Sequence, residues 1–344
     1  MLRSARAWGV LCLLSGHLAL LLMQQLDLGP PWLAELTRFL PWYWLLLPCG
    51  LALLLAIGLS RWWLAAAVLN LALLGTLTMG LQWHLGTRED AVAGRTLRVL
   101  SYNVKALNAR FKEEGYSGID YEVRSHAPDI VALQDAQHLL PLDSPSTPTL
   151  SQPLFGLPHV YALDQYVIAS RFPVRECRAG QLSKYHALHG EFYLYCQLEI
   201  DGHFLSVVTA HLVSPREALE GTRHSLLGGL NDWKSNLRER LGQAQVLLRD
   251  VAKLPRPLLL MGDFNAPEGS PVVDLLKRAR LRDSYSDAGQ GYGYTYGHAL
   301  GRNTDFLRID HILLSADIAV IHSTVGGTEA SDHSPVIANI RLHE

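Results

Sequence analysis

Three uncharged apolar runs open the chain, and a different rhythm follows them. Residues 8–26 carry no charged side chain but contain His17; residues 39–59 carry Pro41 and Pro48; residues 62–83 are interrupted by Asn70. Each run is close to the roughly 20 apolar residues a helix needs to cross a bilayer core. The apolar positions lie all round and not along one stripe, which argues against helices buried in a water-soluble core. Prolines are tolerated in such spans because neighbouring helices satisfy the carbonyls they free. The basic start, with Arg3 and Arg6, would suit a signal peptide, but the following QQLDLGPP offers no small-x-small cleavage site, so an uncleaved anchor is expected.

The short flanks predict an orientation. Arg3, Arg6 and Arg61 are basic, whereas residues 24–38 set Asp27 and Glu35 against Arg38. Positive charge marks the cytoplasmic side, so three crossings would leave the C-terminal part on the non-cytoplasmic side of a cell (inner) membrane. Trp8, Trp62 and Trp63 would line one interface, and Trp32, Trp42, Trp44 and Trp83 the other. Residues 1–84 therefore read as a three-helix transmembrane anchor, 85–95 as a polar, Gly-containing linker, and 96–344 as a separate domain.

Beyond the linker, short apolar stretches alternate with turns. Strands are predicted at 97–102, 130–134, 167–170, 192–200, 204–210, 258–262, 311–314 and 336–341, and helices at 120–126, 231–253 and 271–279. This mixture predicts two packed sheets flanked by helices, an α+β class. The Pro/Ser/Thr-rich stretch 141–153 reads as an exposed insertion, and 213–231, which mixes leucines with Arg216, Arg223 and His224, reads as a surface lip.

Composition refines this picture. Mean hydropathy is positive (+0.10) and charged residues make up 18%, an excess of apolar character concentrated in the first third. After residue 90 there are 25 basic and 28 acidic residues, so no global field favours a polyanion, and nucleic acid is not an expected partner. Four cysteines show no metal-type spacing. Cys12 and Cys49 read as small buried apolar residues. Cys177 and Cys196 fall in two neighbouring strands, and unpaired thiols are favoured over a disulfide there.

The chemistry sits at the strand ends. Asn103 follows LSY, Asp135 follows VALQ, His211 follows VVTA, Asp263 and Asn265 follow LLMG, Asp310 follows LRI, and Asp332-His333 follow a glycine turn. Any one of these has an ordinary explanation as a turn residue or a cap. Together, four carboxylates, two asparagines and two histidines supply hard oxygen ligands for Mg²⁺ or Mn²⁺ and groups that move protons. Hydrolysis of an anionic phosphate ester needs that combination: positive charge on the phosphate, a base for water, and donors to the transition state.

The segments RVLSYNV, DIVALQD, IASRFPV, VVTAHL, LLMGDFNAP, LRIDHILLS and SDHSPV resemble the endonuclease/exonuclease/phosphatase superfamily from about Arg98 to the end of the chain. The resemblance implies a four-layer αββα sandwich with its site at one edge of the two sheets. It implies metal binding by Asn103, Asp135 and Asp332, water activation by Asp263, phosphate positioning by Asn265 with Asn103, a phosphate or leaving-group contact by His211, and a paired Asp310 and His333. Arg171 is divided evenly between phosphate contact and a structural ion pair. Two positions depart from the family pattern. Asp135 stands where glutamate is usual, one methylene shorter, and Gln165-Tyr166 replace a Gly-Asn, so no substrate contact is carried onto Tyr166. The expected activity is divalent-metal-dependent hydrolysis of a phosphate ester, with a lipid head group at the outer membrane face as the leading substrate. A nuclease and a non-catalytic binding protein with a degenerate site remain alternatives.

Overall fold

The computed structural model describes residues 2–26, 28–84, 94–140, 146–182, 192–297 and 305–342. The predicted linker falls almost wholly on residues 85–93, and the start of the Pro/Ser/Thr-rich stretch on 141–145; both lie outside the described residues.

Two mixed sheets stack face to face. One has six strands in the order Leu281–Asp283, Asp310–Ser315, Leu258–Asp263, His203–His211, Phe192–Ile200, Val174–Gln181. The other has seven, in the order Ile318–Val325, Val336–Leu342, Thr96–Asn103, Ile130–Gln134, Tyr166–Ser170, His159–Leu163, Thr149–Ser151. Strand alternation sorts the apolar side chains. In Leu258–Asp263, Leu259 and Met261 enter the layer between the sheets with Val99, Ile168, Val207 and Ile312. Leu258 and Leu260 face the other way, onto Leu237, Ala244, Leu247, Val272 and Leu276 of the helices Leu226–Val251 and Pro271–Lys277. On the opposite outer face, Ile119 and Val123 of Gly115–Ser125 pack on Leu100, Tyr102, Val131 and Leu133. The fold is the expected α+β, four-layer αββα sandwich.

Three expectations are corrected. Cys12, expected to be buried, is exposed, while Cys49 is buried as expected. Cys177 and Cys196 are disulfide-bonded and not free thiols, because the antiparallel register of their strands sets them directly opposite one another, Cα atoms 4.2 Å apart. The lip at 213–231 is not a loop: it forms the helix Arg216–His224 and the start of Leu226–Val251, the latter capped by the Ser225 hydroxyl, which accepts the Gly228 N–H.

The N-terminal helices are Leu2–Gln25, Pro31–Arg38, Trp42–Ala56 and Arg61–Leu73, the last continued by a π-helical turn, Leu74–Thr78. Two of them are long and apolar enough to cross a membrane, or three if the bent pair Pro31–Arg38 and Trp42–Ala56 is one span. The bend is 86° and falls where Pro41 precedes Trp42, so a short helix just ahead of the second apolar run lies across the axis of the long one. Large apolar side chains such as Leu47 (77% exposed), Leu54 and Leu69 line the outer surface of the bundle. Its interior holds a polar chain in which His17 Nδ1 lies 2.8 Å from Asn70 Oδ1 and His17 Nε2 3.0 Å from Thr78 Oγ1, while Asn70 Nδ2 donates to Cys49 Sγ. Arg6 donates to the carbonyls of Leu55 and Ile57 at one end of the bundle, and the sandwich meets the other end.

Among the described residues, two groups of contacts contribute to that meeting. The helix Pro31–Arg38 lies against Leu226–Val251: Trp233 Nε1 donates to the Trp32 carbonyl (2.8 Å), Phe39 meets Trp233 edge to face, and Glu35 and Arg240 form a fully buried ion pair at 2.9 Å. Separately, Gln82–Trp83 pairs antiparallel with Gln290–Gly291, Tyr294 donates its hydroxyl to the Met79 carbonyl, and His84 Nδ1 donates to the Gly289 carbonyl.

Candidate active site

Strand register builds the centre of the site. Asp263 closes its strand opposite His211 on the parallel side and Asp310 on the antiparallel side, so three of the expected residues share one rung of the six-stranded sheet. The preceding Gly262 has φ 154°, and a Cβ there would lie 1.9 Å from the Ala210 carbonyl oxygen; only glycine lets the strands close up at this point. From the facing sheet, Thr96–Asn103 and Ile130–Gln134 run parallel with Asn103 paired to Gln134, which delivers Asn103 and Asp135 to the same edge.

Hydrogen bonds join the two sheets there. Asn103 Nδ2 donates to Asp263 Oδ2 at 2.9 Å, and the Asn265 N–H donates to Asp263 Oδ1 at 2.8 Å. Asn265, with φ 49°, donates its side-chain amide to the Leu212 carbonyl. The loop carrying it is held from below. Arg240 donates to the Asn265 carbonyl, and His311, itself bonded to Asp283, donates to the Ala266 carbonyl. His333 Nδ1 donates to Asp310 Oδ2 at 2.9 Å, while its Nε2 is 3.8 Å from Asp263 Oδ2. His211 Nε2 is 3.5 Å from the same oxygen, and its Nδ1 lies 2.7 Å from Gln165 Oε1. Tyr166 accepts the His211 backbone N–H at 3.0 Å. The two residues that replace the family's Gly-Asn therefore hold His211 from behind.

The two histidines are driven apart electrically. Burial pulls the His211 imidazole below its usual range despite the nearby carboxylates of Asp135 and Asp263, which favours the neutral ring. Burial acts the same way on His333, but Asp310 and Asp263 overcome it and push the group up to about 9, which makes it an imidazolium near neutral pH. Asp263 thus lies between a neutral and a cationic histidine, the division of labour expected of proton-transfer sites.

Most of the residues expected from the sequence converge here: Asn103, Asp135, His211, Asp263, Asn265, Asp310 and His333 meet at one edge, and Asp332 lines the adjoining mouth. Arg171 does not join them. It pairs with Asp129 (3.1 Å) before the start of Ile130–Gln134, the far end of that strand from Asp135, roughly 20 Å away at about 3.3 Å per residue. One participant was missed. Lys105, two residues past Asn103, bonds Asp135 Oδ2 through Nζ at 2.5 Å. Burial opposes its charge, but Asp135 and Asp263 outweigh burial and hold its proton more tightly than usual.

The mouth is a cavity of about 220 Å³. Lys105, Asn265, Asp332, His333 and Arg216 form its polar side, and Phe39, Leu219, Phe306, Leu307 and Ile309 its apolar side. Phe39 comes from the segment that leads into Trp42–Ala56.

Asp263, Asp310 and His333 offer ligand atoms that all lie within 4.8 Å of one another. Asp310 Oδ1 is buried with no hydrogen-bond partner among the described residues, an oxygen suited to a hard cation. The two carboxylates on this side fit a divalent ion. On the other side, Asp135 is paired with the Lys105 ammonium.

Residues 100–333 match the family model described as Endonuclease/Exonuclease/phosphatase family. Among solved structures, a Bacteroides thetaiotaomicron protein of that family aligns over 73% of this chain and 100% of its own, at 18% identity and a TM-score of 0.51. The mannosyl-6-phosphatase of Bacteroides thetaiotaomicron VPI-5482 aligns over 72% of this chain and 100% of its own, at 18% identity and a TM-score of 0.51. D. rerio TDP2, complexed with single-strand DNA product, aligns over 72% and 99%, at 17% identity and a TM-score of 0.51. At these identities the likeness is one of fold. No curated protein matches the chain.

Proposed function

The chain belongs to the endonuclease/exonuclease/phosphatase family, and on that premise we propose that it is a membrane-anchored phosphoesterase that hydrolyses a phosphate ester with an apolar substituent, a lipid head group being the leading candidate. The observation that carries the reading is the rung Asp310–Asp263–His211, faced by Asn103 and closed by His333. Asp263 takes the proton of the attacking water, held in place by the Asn103 amide and the Asn265 N–H. As oxygen adds to phosphorus, the ester P–O bond breaks. His333, kept cationic by Asp310, stabilises the charge that develops and has a proton for the leaving oxygen. A divalent cation, Mg²⁺ or Mn²⁺, held by the carboxylates of Asp263 and Asp310, would offset phosphate charge and acidify water.

The choice of substrate rests on the mouth, whose apolar side meets the anchor through Phe39. The acidic balance of the sandwich and the lack of a basic run speak against nucleic acid. The placement we propose is multi-pass in a cell membrane, with residues 96–344 as the catalytic domain on the non-cytoplasmic side. Arg6 and Arg61 mark the end of the bundle away from the sandwich, and the Cys177–Cys196 disulfide suits an oxidising compartment.

The test is turnover by the full chain in detergent with Mg²⁺ or Mn²⁺ on sphingomyelin, phosphatidylinositol phosphates, an aryl phosphodiester, an aryl phosphomonoester and DNA. We expect hydrolysis of a lipid substrate, reduced about 10²–10⁴-fold or more in Asp263→Asn. Preference for DNA would replace the lipid reading with a nuclease. Equal rates for wild type and Asp263→Asn would remove the hydrolytic mechanism.

A further inference from the structure

Asp135 and Lys105 sit on two turns that face each other across a strand pair. Lys105 has φ 44° and Asp135 φ 50°, both in the left-handed region that non-glycine residues enter at a cost. The Val104 N–H donates to the Gln134 carbonyl and the Ala106 N–H to the Asp135 carbonyl, so the backbone on both sides of Lys105 is tied to the turn carrying Asp135. This brings Lys105 Nζ to 2.5 Å from Asp135 Oδ2, with both side chains largely shielded from solvent. Asp263 and Asp332 add their fields to the same ammonium.

We propose that the Lys105 ammonium is a built-in replacement for a metal ion at the Asp135 end of the site, and that it contacts the substrate phosphate there. Three features point the same way. The acid is aspartate, short by one methylene for the reach expected of a glutamate ligand. One of its two carboxylate oxygens, Oδ2, is already bonded to a cation. That cation also lines the mouth shared with His333, Asn265 and Asp332, where a phosphate must enter. A magnesium ion needs ligand oxygens at about 2.0–2.1 Å in near-octahedral array. Bound to Asp135 Oδ2, it would sit against Nζ, a positive charge beside a positive charge. Lysine is a compact, strongly hydrated point charge well suited to phosphate, and unlike an ion it does not dissociate. The site would then hold at most one exchangeable cation, on the Asp263 side.

The phosphate contact rests on the phosphoesterase reading, but the cation count does not, so binding is measured apart from turnover. The assay is Mn²⁺ binding to the full chain in detergent, by electron paramagnetic resonance and calorimetry, without substrate. Wild type and Asp135→Asn should bind Mn²⁺ with affinities within about threefold of each other. Lys105→Met should gain a site or at least tenfold in affinity, and Lys105→Met/Asp135→Asn should lose that gain. Metal-free affinity for orthovanadate should fall at least tenfold in Lys105→Met and be largely kept in Lys105→Arg. A tenfold or larger loss of Mn²⁺ affinity in Asp135→Asn would overturn the proposal, since Asp135 would then be a ligand in spite of Lys105. That comparison needs only the aspartate variant, so it stands even if Lys105→Met does not fold.

Discussion

Replacing Glu35 with alanine removes a carboxylate that is fully enclosed between the helix Pro31–Arg38 and the helix Leu226–Val251. Arg240 keeps its bonds to Asn236 Oδ1 and the Asn265 carbonyl, yet its guanidinium is left as an uncompensated charge between the rings of Phe39 and Trp233. Breaking a buried pair from one side typically costs about 3–5 kcal/mol, and full burial of both partners places this pair well inside that class. For a unit of 150–250 residues each kcal/mol is worth about 2–4 °C, so the thermal midpoint should fall by roughly 6–20 °C. Glu35→Gln, which retains an acceptor oxygen, should lose less, about 1–2 kcal/mol. In Glu35→Ala/Arg240→Met the charge disappears and the flexible methionine fills the space between the rings, so at least half of the single-variant loss should return. The measurement is a thermal melt of the full chain in detergent. A midpoint for Glu35→Ala within about 2 °C of wild type would refute the reasoning, as would a double variant no better than the single one.

The pairing of Asp310 with His333 predicts that, in metal-free protein, NMR shows the His333 ring titrating near pH 9, and that Asp310→Asn brings it down toward the ordinary value of about 6.5. Because the group is raised on folding, the stability it contributes is fully present below about pH 6.5 and is lost as pH rises through about 9; a wild-type ring titrating near 6.5 would dissolve the pair. Turnover should show the same coupling, with Asp310→Asn/His333→Ala far less than additive, whereas multiplying effects would mean independent roles. Phe39→Ala should raise KM for an acylated substrate several-fold and leave a small aryl phosphate unaffected; equal effects on both would detach the apolar wall of the mouth from substrate binding.

The strands that carry the site were legible because each is a compact apolar run that ends in a polar residue. The predicted 130–134 and 192–200 coincide with observed strands, and most others grow by a residue or two at their ends. Asp263 and His211 could be assembled in advance because each closes such a run, and Asp310 because it stands just before one. What was hidden depends on register or on distant pairing. Lys105 is one lysine in a polar turn, and its meaning appears only when two left-handed turns bring it over Asp135. Glu35 and Arg240 lie 205 positions apart, and no local pattern links them. The disulfide follows from a strand register that could not be counted across residues 183–191. The helix Pro31–Arg38 did leave a trace, with Pro31 at its first turn and Trp32, Glu35 and Leu36 spaced for one face. At eight residues between two apolar runs, it has the length of a connection between spans.

The bundle grips the sandwich twice, through the helix Pro31–Arg38 and through the strand pair of Gln82–Trp83 with Gln290–Gly291. Two separated contacts resist swivelling in a way that a single flexible leash cannot. On the proposed placement, a mouth held at fixed height and tilt would address molecules in the leaflet that surrounds its own helices, and a facing membrane or a vesicle passing overhead would be out of reach. Encounter would then be a two-dimensional search by lateral diffusion. Rates should scale with the mole fraction of substrate in the proteoliposome that carries the protein, and should hardly respond to substrate added in separate liposomes.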